Sequence, residues 1–228
     1  MATVGFAATA VLVVMFPAGI RLPAPVAPLG GYVLVWLPLL IAILVIRLDR
    51  SRRDSGPDAV RWRLRPIDLL WGAAIGLLLR IVVSILEIVV YGSLPATSGE
   101  MVPLGSAAQV VTFVVGFLAV TVVAPAVEEG FFRGALLPAL IGSLGGRRWT
   151  PVVISAIAFA GLHLLTVSSA PQALVVGLGT LLVGLCTATV AVLTGRLGPA
   201  LIAHIVFNTS ILALGWSAVT GGTGVVIE

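Results

Sequence analysis

Long apolar segments recur along this chain from its first residues to its last, and no extended polar insertion separates them. A hydrocarbon core of about 30 Å is crossed by roughly 20 apolar residues in a helix. Helices also pair their backbone polar groups internally, as lipid requires. Windows of suitable length cover residues 2–20, 29–46, 67–91, 107–140, 151–167, 171–194 and 197–219.

The composition agrees with this pattern, because 59% of the 228 residues are apolar and only 10% are charged. These values lie outside the range of a soluble domain. We therefore expect an all-α, polytopic transmembrane helical bundle. The window 107–140 is too long for one straight span, so it is tilted, broken near Pro125 or Pro138, or followed by an interfacial segment. The bundle then has seven or eight spans.

Charge predicts the orientation of the bundle. All 13 basic residues are arginines, and more than half of them lie between Arg47 and Arg65. The positive-inside rule places this segment, and with it the N-terminus, in the cytoplasm. Anionic lipid headgroups, not nucleic acid, are the expected partners of such a juxtamembrane cluster. The bundle divides into residues 1–66, with two spans and the Arg-rich loop, and residues 67–228, with the remaining spans. The short chain suggests a bacterial cell membrane.

Adjacent carboxylates stand inside the fourth apolar window. Glu128 and Glu129 repel each other, and ionisable groups at membrane depth usually mark a function. In a helix Arg133 shares a face with Glu129, four residues away, whereas Glu128 points about 100° away. We expect Arg133 to neutralise Glu129 and Glu128 to project toward another group. The structural alternative is that both glutamates merely satisfy arginines or loop backbone at the membrane edge.

The two histidines of the chain lie in later apolar windows. His163 shares a helix face with Phe159, and His204 shares one with Asn208, because each pair is four residues apart. Taken singly, each histidine reads more readily as an interhelical hydrogen-bonding residue. Glu128, His163 and His204 nevertheless fall at compatible depths, so they can form one buried polar pocket if their helices are neighbours.

The groups of such a pocket could catalyse hydrolysis. A desolvated glutamate and an imidazole can deprotonate a water molecule and later protonate a leaving amine. The second histidine and the asparagine can stabilise an oxyanion. Alternatively, two histidines and a glutamate can hold a divalent metal such as zinc with one open position for water.

These residues also resemble a known family. The runs EEGFFR, FAGLH and HIVFN match the ordered patterns EExxxR, FxxxH and HxxxN of the CPBP intramembrane metalloproteases, also called the CAAX protease, bacteriocin-processing or Abi family, which includes the type II CAAX prenyl endopeptidases. The resemblance covers about residues 107–219. Counted at 1.5 Å per residue from the expected cytoplasmic ends of their helices, the site residues reach the cytoplasmic half of the bilayer, so we expect an intramembrane cavity that faces the cytoplasm. The resemblance makes Glu128 the catalytic carboxylate, His163 its partner, and His204 and Asn208 the oxyanion stabilisers.

The resemblance assigns supporting roles to Glu129, Arg133 and Phe159, and it implies a peptide or protein substrate that is membrane-associated or prenylated. It leaves open a zinc site on Glu128, His163 and His204 or a metal-free glutamate mechanism. Two other functions compete with an endopeptidase: a non-catalytic scaffold or immunity protein of the same fold, and a proton-coupled transporter. Arg80 and Glu87 are seven residues apart and lie on roughly one helix face. They either form part of a helix-contact network or line the cavity, and we prefer the structural role.

Overall fold

The computed structural model describes residues 27–51, 60–93 and 107–221. Within these ranges every regular element is helical, which confirms the predicted all-α class. The elements are α1 (Ala27–Ser51), α2 (Pro66–Tyr91), α3 (Ala107–Leu118), π1 (Ala119–Val123), α4 (Ala124–Phe131), π2 (Phe132–Leu136), α5 (Leu137–Ser143), α6 (Trp149–Leu164), α7 (Ala170–Thr194) and α8 (Gly198–Gly221). The predicted first span, residues 2–20, lies outside the described residues.

Three described helical segments are long and apolar enough to cross a bilayer: α2, residues 109–143 and α7. Shorter apolar helices occupy parts of α1, α6 and α8. Large apolar side chains point outward, and Leu78, Val89 and Leu193 are 62%, 75% and 69% exposed. A surface of this kind requires lipid around it, so the chain is an integral membrane protein. The total of seven or eight spans stays a prediction.

The long fourth window forms one continuous helix instead of breaking at a proline. The amide N–H of Ala124 bonds to the carbonyl of Ala119, and that of Leu137 bonds to the carbonyl of Phe132, each five residues back. A proline without an N–H follows directly in each case, at Pro125 and Pro138. A π turn therefore precedes each proline, where the helix lacks an N–H donor. The two π turns flank α4, the segment that carries both glutamates.

Glycines bring α2 and α8 together, as their spacing of four residues predicts. A Cβ atom on Gly72 would lie 2.5 Å from the Cβ of Ile202, and one on Gly76 would lie 2.5 Å from the carbonyl oxygen of Ala203. Residue numbers increase together along the two contact lines, so α2 and α8 run parallel. Their close approach brings the cavity-facing residues of α2 next to those of α8.

One end of the bundle carries the described surface arginines, and we call it the Arg-bearing end. It consists of residues 60–65 and the turns at 144–148 and 195–197. Backbone hydrogen bonds of 3.0 Å join Arg61 to Gly195 and to Leu197. The Asp68 carboxylate accepts hydrogen bonds from Arg196 at 2.5 and 3.3 Å, which raises the pKa of that guanidinium. These contacts fix the starts of α2 and α8 at the same level.

Candidate active site

Glu128 lies between the two histidines. Its Oε2 atom is 3.7 Å from Nε2 of His204 on α8 and 4.0 Å from Nε2 of His163 on α6. The Glu128 side chain is 10% exposed. Three helices that are distant in sequence thus bring one carboxylate and two imidazoles to a single point.

The remaining ring nitrogens of the histidines fix their tautomers. Nδ1 of His163 lies 2.9 Å from the carbonyl oxygen of Phe159, to which it donates a hydrogen. Nδ1 of His204 lies 3.0 Å from Oε1 of Glu129 and donates to that carboxylate. In the neutral form both imidazoles therefore present an Nε2 lone pair to Glu128.

Arg133 compensates the charge of Glu129. Its Nε atom lies 3.2 Å from Oε2 of Glu129, and the side chains are 0% and 1% exposed. Nη2 of Arg133 donates to the hydroxyl of Thr187 and, at 3.1 Å, to the carbonyl oxygen of Gly184 on α7. The ion pair at i, i+4 that the sequence predicted is thus buried and tied to a second helix.

Phe159 lies at the centre of this cluster. Its ring centroid is 4.5 Å from that of His163 and 5.6 Å from that of His204, and the Arg133 guanidinium carbon lies 4.7 Å above it. The side chain is 1% exposed. Phe159 restrains both imidazoles by packing, and its ring face stabilises the buried cation. The sequence placed it beside the site without indicating these three contacts.

Asn208 anchors α8 to π1. Its Nδ2 atom donates to the carbonyl oxygen of Val120 at 3.0 Å. The donor five residues after Val120 would be Pro125, which has no N–H, and the N–H of Ala124 bonds to Ala119 instead. The π turn therefore leaves the Val120 carbonyl without a helical partner, and Asn208 supplies one. Both Asn208 and Val120 line the cavity described next.

A cavity of about 510 Å³ adjoins the cluster. Glu128, His163, His204 and Asn208 all line it, and most other lining side chains are apolar. The cavity extends to Thr166, in the connection between α6 and α7, which is the end of the bundle opposite the Arg-bearing end. Side-chain exposure falls along the same axis, from 30% at His163 to 1% at Glu129. Among the described residues, the cluster is therefore most exposed on the side of His163.

Glu128, His163 and His204 are side chains of the kinds that bind a divalent metal. Their distances from one another are longer than those between ligands of one ion. Two imidazoles and a carboxylate are common zinc ligands. Ligands at 2.0–2.1 Å from a tetrahedral ion lie about 3.3 Å from one another, whereas Nε2 of His163 and His204 are 4.0 and 3.7 Å from Glu128. Among the residues of the three described ranges, no group of three His, Cys, Asp or Glu side chains is spaced to hold a metal ion. We therefore assign no step to a metal.

Comparison with family models identifies the segment that contains the cluster. Residues 110–210 match the model of the family described as type II CAAX prenyl endopeptidase Rce1-like. This segment is therefore similar to the Rce1-like prenyl endopeptidases. The match covers a little under half of the chain and confirms the predicted recognition. No curated protein and no solved structure matches the chain.

The matched segment, residues 110–210, contains every motif residue named from the sequence, from Glu128 to Asn208. Thr187 and Gly184 also lie within it, but sequence reasoning missed them, because a threonine and a glycine in an apolar helix give no sign that they hold an arginine. Two polar cavity residues, Arg80 and Glu87, precede the matched segment.

Proposed function

We propose that this chain is an intramembrane endopeptidase that hydrolyses a peptide bond with a water molecule activated by Glu128 and His163. The position of the Glu128 carboxylate beside two imidazole Nε2 atoms on a cavity wall carries the proposal. A protease family match supports the general class of activity. We propose the catalytic roles of the individual residues from their positions in the site.

The distance between Glu128 and His163 suits a bridging water. A separation of 4.0 Å is too long for a direct hydrogen bond and fits a water molecule that donates to both atoms. Glu128 removes a proton from this water, and the resulting hydroxide attacks the scissile carbonyl carbon. The new C–O bond converts the carbonyl oxygen into an oxyanion. Transfer of the proton to the amide nitrogen then breaks the C–N bond and releases an acid and an amine.

His204 and Asn208 are the proposed oxyanion stabilisers. The protonated imidazole of His204 would donate from Nε2, because Glu129 keeps its Nδ1–H occupied. Asn208 has a second amide hydrogen besides the one directed at Val120. Donors fixed in a low-dielectric site stabilise developing negative charge without reorganisation.

Substrate access follows from the cavity axis. Because the cavity extends away from the Arg-bearing end, and that end is expected in the cytoplasm, we propose entry from the opposite face in place of the cytoplasmic opening expected from the sequence. A peptide or protein segment at the membrane surface fits an apolar cavity of this volume. A prenylated substrate remains one case of that class.

The scaffold and transporter alternatives make different demands on Glu128. A scaffold needs only its shape, and a proton-coupled carrier uses the charge of Glu128 without cutting a peptide. The match of residues 110–210 to a prenyl endopeptidase family is the observation that favours the endopeptidase over both.

The test compares the wild type with Glu128→Gln in lipid nanodiscs, incubated with a random peptide library whose new termini are read by mass spectrometry. We expect defined cleavage sites with the wild type and a loss of rate of about 10²- to 10⁴-fold with the variant. Circular dichroism and thermal unfolding should show both proteins equally folded. The proposal is wrong if the wild type cuts nothing or if the variant cuts equally well.

A further inference from the structure

The cavity wall contains a second charged feature, the ion pair of Arg80 and Glu87 on α2. Both guanidinium nitrogens Nη1 and Nη2 donate to the Glu87 carboxylate, and Nε donates to the Ser84 hydroxyl at 3.0 Å. The side chains are only 8% and 12% exposed. Arg80 and Glu87 both line the cavity that Glu128 and the histidines line.

A purely structural role explains this pair poorly. Their ion pair and hydrogen bonds with described residues all lie within α2. Among the described helices, the pair therefore makes no polar link from α2 to a neighbour. Burying two charges costs free energy even when they are paired. Ionisable groups at this depth usually face a pathway or a site. Burial of the pair therefore costs free energy without linking two of the described helices.

Among the described residues of the cavity wall outside the catalytic cluster, the two threonine hydroxyls already donate to backbone carbonyls. The hydroxyl of Thr180 donates to the carbonyl of Val176, and that of Thr166 donates to the carbonyl of His163. An extended substrate exposes one N–H and one C=O per residue, and each needs a partner inside an apolar cavity. The N–H and C=O of one residue point to the same side of an extended chain, so a site with both a donor and an acceptor satisfies them together.

We infer that Arg80 and Glu87 form a subsite that binds the backbone of one extended substrate residue, with Arg80 donating to the C=O of that residue and Glu87 accepting from its N–H. The guanidinium has five N–H groups, and its bonds to described residues use three of them. Carboxylate oxygens likewise accept more than one hydrogen bond.

The position of the pair fits a subsite beside the scissile bond. Gly76 contacts Ala203 and Val206 of the parallel helix α8. Arg80 follows Gly76 by four residues and so lies about 6 Å further along the helix axis. The next turn of α8 beyond this contact carries Asn208. The subsite therefore flanks the proposed oxyanion site on the side toward which the cavity extends.

This inference rests on the proposed endopeptidase function, and its test starts from a peptide that the wild type cleaves. The double variant Arg80→Met/Glu87→Met removes both charges together and leaves neither one unpaired. We expect KM to rise at least tenfold while kcat stays within threefold of the wild-type value. The Kd of the same peptide, measured on a Glu128→Gln background, should rise by the same factor. Ser84→Ala, which keeps the ion pair, is the matched control and should leave KM unchanged.

Ester-substituted peptides locate the bound group. Replacing one backbone N–H at a time by oxygen should weaken binding to the wild type at one position beside the cleavage site and have no further effect in the double variant.

An unchanged KM in a folded double variant, or a fall in kcat alone, overturns the subsite while leaving the endopeptidase intact. If the double variant does not fold, the swapped pair Arg80→Glu/Glu87→Arg decides. A folded swap with a raised KM supports the subsite, because donor and acceptor have exchanged places. A folded swap with wild-type KM, or loss of folding here too, assigns the pair a structural role. A wild type that cleaves no peptide refutes both proposals.

Discussion

Nδ1 of His204 lies 3.0 Å from Oε1 of Glu129, and this contact directs the opposite ring nitrogen toward the cavity. Glu129 is itself 1% exposed and paired with a guanidinium. The second glutamate of the motif thus orients a histidine, whereas the first faces the cavity. Two neighbouring carboxylates acquire different tasks because a helix turns each toward a different partner.

Arg133 is expected to stabilise the fold through Glu129. Arg133→Met leaves a buried carboxylate without its cation, which should lower the free energy of unfolding by about 3–5 kcal/mol. Adding Glu129→Gln should restore most of that stability, because the remaining amide oxygen still accepts from His204. Denaturant titration in detergent measures both variants. A double variant as unstable as the single one would disprove the pairing.

Asn208 is expected to act in the chemical step. Asn208→Ala removes the proposed oxyanion donor and the partner of the Val120 carbonyl, so kcat should fall by about 10²- to 10³-fold. Ser210→Ala is the matched control, since Ser210 lies on the same helix and donates only to the carbonyl of Phe207 among described residues. Steady-state kinetics on one cleaved peptide separates kcat from KM. Equal kcat values for Asn208→Ala and the control would exclude the oxyanion role.

Removal of metal ions is expected to leave cleavage unchanged. The Nε2 atoms of the histidines lie further from Glu128 than ligands of one ion would. Purified protein should therefore retain its rate after dialysis against a chelator, and elemental analysis should find less than one equivalent of transition metal. Loss of activity that zinc restores would favour the zinc site considered from the sequence.

The cavity is expected to open on the face opposite the Arg-bearing end. In a Cys186→Ala background, Thr166→Cys should react with a membrane-impermeant maleimide added from that face of sealed vesicles. Ser143→Cys, at the exposed end of α5, should react from the other face. Labelling of both cysteines from the same side would contradict the proposed route of entry.

The contact between α2 and α8 is expected to tolerate no side chain at Gly76. Gly76→Ala places a Cβ 2.5 Å from a backbone oxygen, so the free energy of unfolding should fall by about 1–3 kcal/mol. Gly161→Ala is the control, because no heavy atom lies within 4 Å of its added Cβ. Equal stability of the two variants would show that the helices can separate at little cost.

Several features of the site could be predicted from spacing alone. The pairing of Glu129 with Arg133 follows from four residues of helix, and the parting of Glu128 from Glu129 follows from the 100° turn per residue. The roles of Thr187 and Gly184 could not be predicted, because they depend on which face of α7 meets Arg133. Local periodicity specifies a face of a helix but not the neighbour it meets.

The sequence by itself determined that this chain is a helical membrane protein, because apolar length and the absence of charge constrain a segment in lipid regardless of its neighbours. It also determined which polar residues are out of place in such segments. Only the tertiary structure decided that α4, α6 and α8 bring Glu128, His163 and His204 together, and that the cavity extends away from the arginines. Those facts depend on helix adjacency and tilt, which arise from packing between residues far apart in the chain.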